Sequence, residues 1–379
     1  MAIEASLIWQ SPQASHRDSL LVPDNALLAD GRWAQAAAQA RGQGAAAAAI
    51  ELDASPWLQP SGQPVVELPA DRFRLPTLPG VEPLPGRYYP HMAFVGMARN
   101  PRDMRPVQLL QASDGLLRLD PNHPLAATGA RLELRELARE ATRGVRMIEL
   151  FDGPGMQALV ASAANTYLQP PALTRQDAAA DTVFYTRPRL THHLDAACRA
   201  EISALYGRFL QPGQRVLDLM SSWVSHLPES ARELQVSGLG MNPAELAANP
   251  RLAERSVQDL NANPELPWPD AYFDVVLCTA SIEYLLDPAA VLAQVRRVLK
   301  PGGVCIITFS DRWFPTKAIQ VWSELHPFER LGLALTLLRD AGFGDLHSET
   351  RRGLQRPTDD KYIENRLYSD PLFAAWGSA

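Results

Sequence analysis

Only three cysteines occur in the 379 residues, Cys198, Cys278 and Cys305, and none stands in a CxxC or CxxH spacing. That excludes a disulfide framework and a structural zinc site, and leaves each thiol expected as a small buried apolar side chain. Basic clusters are lacking as well. The formal net charge is −6, and no run of Lys and Arg interleaved with aromatics offers the field that a polyanion requires, so no nucleic-acid partner is expected. No apolar run reaches the roughly 18 residues that span a bilayer, so no membrane partner is expected either. The opening MAIEASLIWQ carries Glu4 and no basic stretch, unlike a secretory leader, and the expected location is the cytoplasm. No cluster at metal-ligand spacing stands out, and no metal is expected.

What is present is an ordinary globular composition, 46% hydrophobic and 21% charged, on a chain long enough for two cores. The first half is rich in proline and alternates short apolar runs with breaks: PVVELP at 64–69, RPVQLLQAS at 105–113, GLLRLD at 115–120 and ARLELREL at 130–137. In the last of these, Leu132 and Leu134 alternate with Arg131, Glu133 and Arg135, the period of a half-buried strand. GRWAQAAAQA at 31–40 reads as a short helix, and RGQGAAAAA at 41–49 is low-complexity. The stretch LQPPALTRQDAAADT at 168–182 has linker composition, which predicts a β-rich α+β domain over 1–167 and a second domain over 168–379.

Past the linker the pattern changes. AACRAEISALYGRFL at 196–210 has helical spacing, and five compact apolar segments follow at 215–220, 235–241, 256–260, 273–280 and 303–309. Between the last two, DPAAVLAQVRRVLK at 287–300 is an amphipathic helix with Pro288 in its first turn and PGG closing it. Helices alternating with buried strands predict a doubly wound α/β domain, which binds its ligand at the carboxyl ends of the strands.

RVLDL at 215–219, SGLGMNP at 237–243, VQDLN at 257–261, LPWPDAYFDVV at 266–276 and RRVLKPGG at 296–303 occur in that order. Together they resemble the class I, Rossmann-like S-adenosylmethionine-dependent methyltransferases, whose sheet is mostly parallel and seven-stranded. The resemblance implies a core over 207–348, a tail over 349–379 and S-adenosylmethionine as cofactor. It implies that Asp259 accepts a hydrogen bond from the adenine amino group and that Leu260 covers the ring. It also places Asp218, Ser221, Ser222, Trp223, Met241, Asn242 and Ser281 among the cofactor-binding positions. Two departures stand out. The glycine-rich loop after the first strand is replaced by MSSWVSH at 220–226, and Gly240 stands where the family commonly has an acid for the ribose hydroxyls. Asn242 is the nearby group that would take over one of those bonds.

FYTRPRLTHHLDAAC at 184–198 is dense in Tyr185, Arg187, Arg189, His192, His193 and Asp195, and in the family such a segment lies over the cofactor as a lid. Arg189 would suit the cofactor carboxylate because a guanidinium pairs with two oxygens. Tyr185 and His193 are candidate catalytic groups, and Asp195 reads equally as a helix cap. Glu283, after the fourth strand, and His226 are candidate bases or simply fold-stabilising groups. The tail from Arg351, with Tyr362, Tyr368, Phe373 and Trp376, is expected to pack on the body or a partner, or to act as a lid.

In the first half, DPNHPLA at 120–126 followed by an alternating strand resembles a SlyD-like FKBP domain over about residues 65–138. This half is read mainly as a structural or substrate-positioning domain, with His123 stabilising its turn. The function expected is methyl transfer to a small-molecule nucleophile. A thiol or sulfide is preferred, because it ionises near neutrality and needs the least help from a base. The alternatives are methylation of a protein presented by the first half, and a non-catalytic folding factor.

Overall fold

The computed structural model describes residues 2–23, 50–55, 57–58, 62–75, 80–101, 103–126, 128–139, 145–152, 167–168 and 172–379. The helix expected at 31–40 lies outside them. The chain forms two compact units: Met1–Ala172 with Val321–Leu333 and Thr350–Gln355, and Leu173–Gln320 with Ala334–Glu349 and Arg356–Ala379. A single boundary near residue 168 does not contain the two returns to the first unit.

The first unit holds strands β1 (Ala2–Gln10), β2 (Ala14–Pro23), β3 (Ile50–Asp53), β4 (Val66–Pro69), β5 (Tyr88–Pro90), β6 (Pro106–Ser113), β7 (Leu116–Asp120) and β8 (Arg131–Leu137), and the short helix α1 (Ile148–Asp152). β2, β1, β8 and β3 pair in that order, antiparallel throughout. Residues 2–10, unassigned from sequence, are thus an inner strand. Leu132 and Leu134 of β8 are buried as their alternation requires, but so is Glu133, because Arg17 reaches its two carboxylate oxygens at 3.0 and 3.2 Å. A smaller antiparallel sheet has the order β4-β7-β6-β5, with a core built on Tyr89, Phe94, Val107, Leu109, Leu117 and Leu119. Its β6–β7 hairpin turns through Asp114 and Gly115, both left-handed (φ 53 and 74), as a two-residue hairpin favours. His123 holds the following turn: Nδ1 accepts from Leu125 N at 3.1 Å and Nε2 lies 2.8 Å from Phe151 O.

The second unit carries β9 (Arg215–Leu219), β10 (Gln235–Gly240), β11 (Glu254–Val257), β12 (Phe273–Thr279), β13 (Leu299–Phe309), β14 (Gly344–Arg352, whose last three residues count with the first unit) and β15 (Leu372–Ser378). Their order is β11-β10-β9-β12-β13-β15-β14. β11 through β13 pair in parallel and β15 runs antiparallel to β13, so the sheet is mixed. The helices are α2 (Asp181–Phe184), α3 (Ala196–Gly207), α4 (Pro243–Ala248) and α5 (Pro288–Val298), followed by α6 (Gln320–Glu324) and α7 (Pro327–Asp340), which the two units share. This is the Rossmann-like methyltransferase arrangement, and the tail supplies one of its inner strands.

Helix periodicity explains the core. Cys198, Ile202, Leu205 and Tyr206 of α3 form one stripe, and they pack against Val216, Val236, Val275, Leu277, Ile306, Leu372 and Ala374, which come from five strands. α5 buries Val291, Leu292, Val295 and Val298 and packs on β13. All three cysteines are free and buried, and burial pushes each thiol upward.

Candidate active site

β9 has β10 on one side and β12 on the other, so the connections leave the sheet in opposite directions at β9. A crevice opens there, at the carboxyl ends of the strands. It is a cavity of about 240 Å³ lined by the segments that follow β9 (Met220–Val224, His226), β10 (Met241, Asn242), β11 (Gln258–Asn261), β12 (Ala280, Ser281, Tyr284) and β13 (Arg312–Phe314). Tyr185, Arg189 and Thr191–Leu194 cover it. Every lining residue belongs to the second unit. Seven non-glycine residues among those described have left-handed backbones, and three of them, Met220, His226 and Ala280, line this cavity. Such strain persists only where the surroundings hold it, and it concentrates at functional sites.

The loop after β9 replaces glycine access with hydrogen bonds. Ser221 N donates to Leu239 O at 2.7 Å and its Oγ donates to Asp218 Oδ2 at 2.5 Å. Burial raises the Asp218 carboxyl to about 6, against the hydrogen bonds from Ser221 and Ser225. The path of the loop also explains Gly240: a Cβ there would lie 2.2 Å from the Ser221 carbonyl oxygen and 3.2 Å from Leu246. No side chain fits, so an acid is sterically excluded at that position. Asn242 is not the replacement expected. Its Oδ1 accepts from Ala244 N and Glu245 N as the cap of α4, and its Nδ2 donates to Tyr185 O and Thr186 O, so its amide is fully engaged.

The covering segment is pinned from below. Glu245 accepts from Arg189 N at 2.7 Å through Oε1 and from Ser222 Oγ at 2.6 Å through Oε2, joining the cover to the β9 loop. Asp181 pairs with Arg175 at 2.9 Å and with Lys317, and accepts from Asn261 Nδ2 at 2.8 Å. Lys317 is fully buried, its Nζ donating to Ala179 O at 2.7 Å. Asp195 caps α3 by accepting from Cys198 N, the bland alternative for that residue.

Tyr185, His193 and His226 all line the cavity, as do the ten cofactor candidates Arg189, Asp218, Ser221, Ser222, Trp223, Met241, Asn242, Asp259, Leu260 and Ser281. Glu283 does not: it is 1% exposed within a 3-10 turn, its own carbonyl accepting from Ile319 N, though its charge still acts on Tyr185. His193 sits edge-on to Phe314, with centroids 5.2 Å apart, and its imidazole is depressed by burial and then by Arg189 and Arg312. His226 falls to about 4, by burial first and then Arg199 and His192. Both are neutral at neutral pH. Burial and nearby Asp181 raise the Tyr185 phenol, which therefore stays a donor. Trp223 stands against His192 at 4.6 Å and donates Nε1 to Thr191 O at 3.3 Å.

Several lining residues were not singled out from sequence: Asp181, Glu245, Gln258, Asn261, Arg312, Trp313 and Phe314. The spacing from Asn242 to Glu245 is a capping-box signal, which marks a helix start but says nothing of a cover above it. SDRWFP after the fifth strand carried a readable signal, a charged aromatic run at a strand's carboxyl end.

Residues 221–307 match the methyltransferase-domain family. A stretch of 61 residues is 43% identical to the ubiquinone/menaquinone biosynthesis C-methyltransferase UbiE of Cupriavidus taiwanensis, covering 16% of this chain and 25% of that protein. In Burkholderia cenocepacia, the protein of the same name is 44% identical over 54 residues, 14% of this chain and 22% of that one. The chain thus spans about a quarter of the length of these curated relatives. Among solved structures, a SAM-dependent methyltransferase from Archaeoglobus fulgidus is similar at 15% identity and a TM-score of 0.36, over 48% of this chain and 94% of that one. Haemonchus contortus phosphoethanolamine N-methyltransferase 2, solved with S-adenosyl-L-methionine, is similar at 19% identity and a TM-score of 0.32, over 45% and 51%. The fold rests on the strand order rather than on these superpositions. The second unit carries a methyltransferase domain, and the cofactor of that class of enzyme is S-adenosylmethionine.

Arg189 and Asp259 carry groups that fit that cofactor. Arg189 Nη1 is buried with no hydrogen-bond partner among the described residues, a donor in want of an anion such as the methionine carboxylate. Asp259 uses Oδ1 to accept from Asn261 N, and its Oδ2 accepts nothing among the described residues. Leu260 beside it is 5% exposed.

Proposed function

We propose that the protein transfers a methyl group from S-adenosylmethionine to a small-molecule nucleophile, with a thiol or sulfide as the preferred acceptor. The observation that carries this reading is the aromatic cavity of about 240 Å³ at the strand ends, lined by Trp223, Tyr185, Tyr284 and Phe314. When bound, the cofactor supplies an electrophilic methyl group on a sulfonium sulfur. Arg189 would hold its carboxylate, Asp259 would accept from its adenine amino group, and Leu260 would cover the ring. Trp223, Tyr185 and Phe314 wall off water and favour a positive sulfonium nearby. His193, neutral and facing the cavity, accepts the proton of the acceptor. A thiol is partly ionised near neutrality and suits so weak a base. Aligning the nucleophile about 3 Å from the methyl carbon is the main task left to the protein.

The test is calorimetric titration with S-adenosylmethionine and then S-adenosylhomocysteine. Micromolar binding is expected, weakened about tenfold or more by Asp259→Ala, a loss of order 1.4 kcal/mol. Binding of neither ligand would remove the reading.

A second role is favoured by one observation in the first unit. Of ten exposed large hydrophobic residues among those described, five lie within residues 65–116: Val65, Val95, Met104, Leu110 and Leu116. An apolar surface on a small antiparallel sheet suits the SlyD-like reading of residues 65–138, in which this region engages unfolded client chains. In that reading the first unit is a folding factor joined to a methyltransferase, and the client itself is the alternative methyl acceptor.

A further inference from the structure

Two guanidinium groups line the cavity, those of Arg189 and Arg312, whereas S-adenosylmethionine brings a single carboxylate. Resting on the methyltransferase reading, we propose that the methyl acceptor is itself an anion, a small carboxylate-bearing molecule whose charged end sits on Arg312 beside Lys361.

The two arginines stand differently. Arg189 donates to Phe184 O at 3.0 Å and lies over the Phe184 ring at 4.3 Å, within the cover. Arg312 follows β13 and stacks over Tyr362 at 4.4 Å, and Lys361 Nζ lies 4.9 Å from the centre of the same ring. Arg312 pairs with Asp370, its Nη1 lying 3.4 Å from Oδ2. Asp370 is already satisfied, since Arg356 Nη2 meets Oδ1 at 2.6 Å and Asp195 N donates to Oδ2 at 3.1 Å. Arg312 also acts on Tyr362 and Asp360, and Asp360 is held by Arg356 Nη1 at 2.9 Å, so Arg312 shares both Asp370 and Asp360 with Arg356.

The acids lining the cavity do not answer it. Asp181 is paired with Arg175 and Lys317, both oxygens of Glu245 accept hydrogen bonds, and Asp218 is buried under Ser221. Asp259 stands after β11, at the other edge of the parallel strands from β13. His193 registers the resulting field, since after burial its depression comes from Arg189 and Arg312, with Lys361 contributing. A planar fork matches the two oxygens of a carboxylate. An ammonium-bearing acceptor would be repelled.

The experiment uses the full chain saturated with S-adenosylhomocysteine. Propionate, 3-mercaptopropionate, 1-propanol and propylamine are titrated by ligand-observed NMR and calorimetry. Both carboxylates are expected to bind about tenfold or more tightly than the alcohol and the amine, as a charge-assisted pair provides, and to weaken with added salt. In Arg312→Gln that preference is expected to vanish while S-adenosylhomocysteine affinity is kept. Lys361→Gln, at an exposed position, is expected to give a smaller loss, and it decides the matter should the first variant not fold. Equal binding of all four compounds, preference for propylamine, no binding of either carboxylate, or a preference surviving Arg312→Gln would overturn the proposal. The reading beneath it fails separately. S-adenosylhomocysteine that does not bind sinks the methyltransferase, with carboxylate preference then read in its absence. Carboxylate preference without methylation of 3-mercaptopropionate removes only the thiol.

Discussion

A glycine ends β10 because the Ser221 carbonyl occupies the place where its side chain would begin. At this scale a single backbone path decides what the strand end presents: no acid fits at 240, and the Asn242 amide is fully engaged. The loop, in turn, is held where it is by the Ser221 bonds to Leu239 and Asp218. Gly240→Ala is expected to cost about 1–3 kcal/mol through forced overpacking and to weaken S-adenosylhomocysteine binding. Denaturant midpoints and calorimetry check the two effects. An alanine variant with unchanged stability would mean that the loop has another path open to it.

The element that governs access is the cover over the cavity, and it is tied down by side chains that sequence pattern does not single out. Glu245, in the first turn of α4, is shared between Arg189 N and Ser222 Oγ, so one carboxylate sets the distance between the cover and the β9 loop. Glu245→Gln keeps an acceptor for Arg189 N, and a Ser222 hydroxyl can turn to accept from the new amide. Glu245→Ala removes both links. The alanine variant is expected to bind S-adenosylhomocysteine about tenfold more weakly, the worth of one charge-assisted hydrogen bond, and to be cut faster by trypsin after Arg189. The glutamine variant should recover most of both. Equal loss in the two would point to a charge effect instead of a tether. A similar lesson holds for the tail, expected to be a lid or packing segment. Its 372–378 stretch is an inner strand of the sheet, antiparallel to β13.

For the molecule as a whole, the two units pose separate questions, one of chemistry and one of binding. Leu110 and Leu116, exposed at 40% and 43%, lie on β6 and β7 of the small sheet. Leu110→Asp combined with Leu116→Asp is expected to abolish capture of a permanently unfolded, reduced and alkylated polypeptide, followed by fluorescence anisotropy. Affinity for S-adenosylmethionine should be untouched. Loss of cofactor affinity in the same variant would tie the two activities together and remove the picture of independent roles.

Sequence alone determined what depends on local periodicity and ordered motifs: the β9–β13 segments, the α3 and α5 helices, the β6–β8 runs, and a ligand crevice at the strand ends. Each of those signals is carried by residues near one another in the chain. The candidate lining residues were legible for the same reason, because they follow strand ends. What only the tertiary structure decided lies between distant segments. Glu133 is buried because Arg17, 116 residues away, meets its charge. Glu283 is buried outside the cavity that its neighbour Tyr284 lines, and Gly240 lacks an acid because a carbonyl from the β9 loop fills the space. Asn242 donates to Tyr185 O and Thr186 O, and Arg312 lines the cavity while paired with Asp370, 58 residues on. Burial, steric exclusion and charge compensation are sums over neighbours, and the neighbours are chosen by the fold.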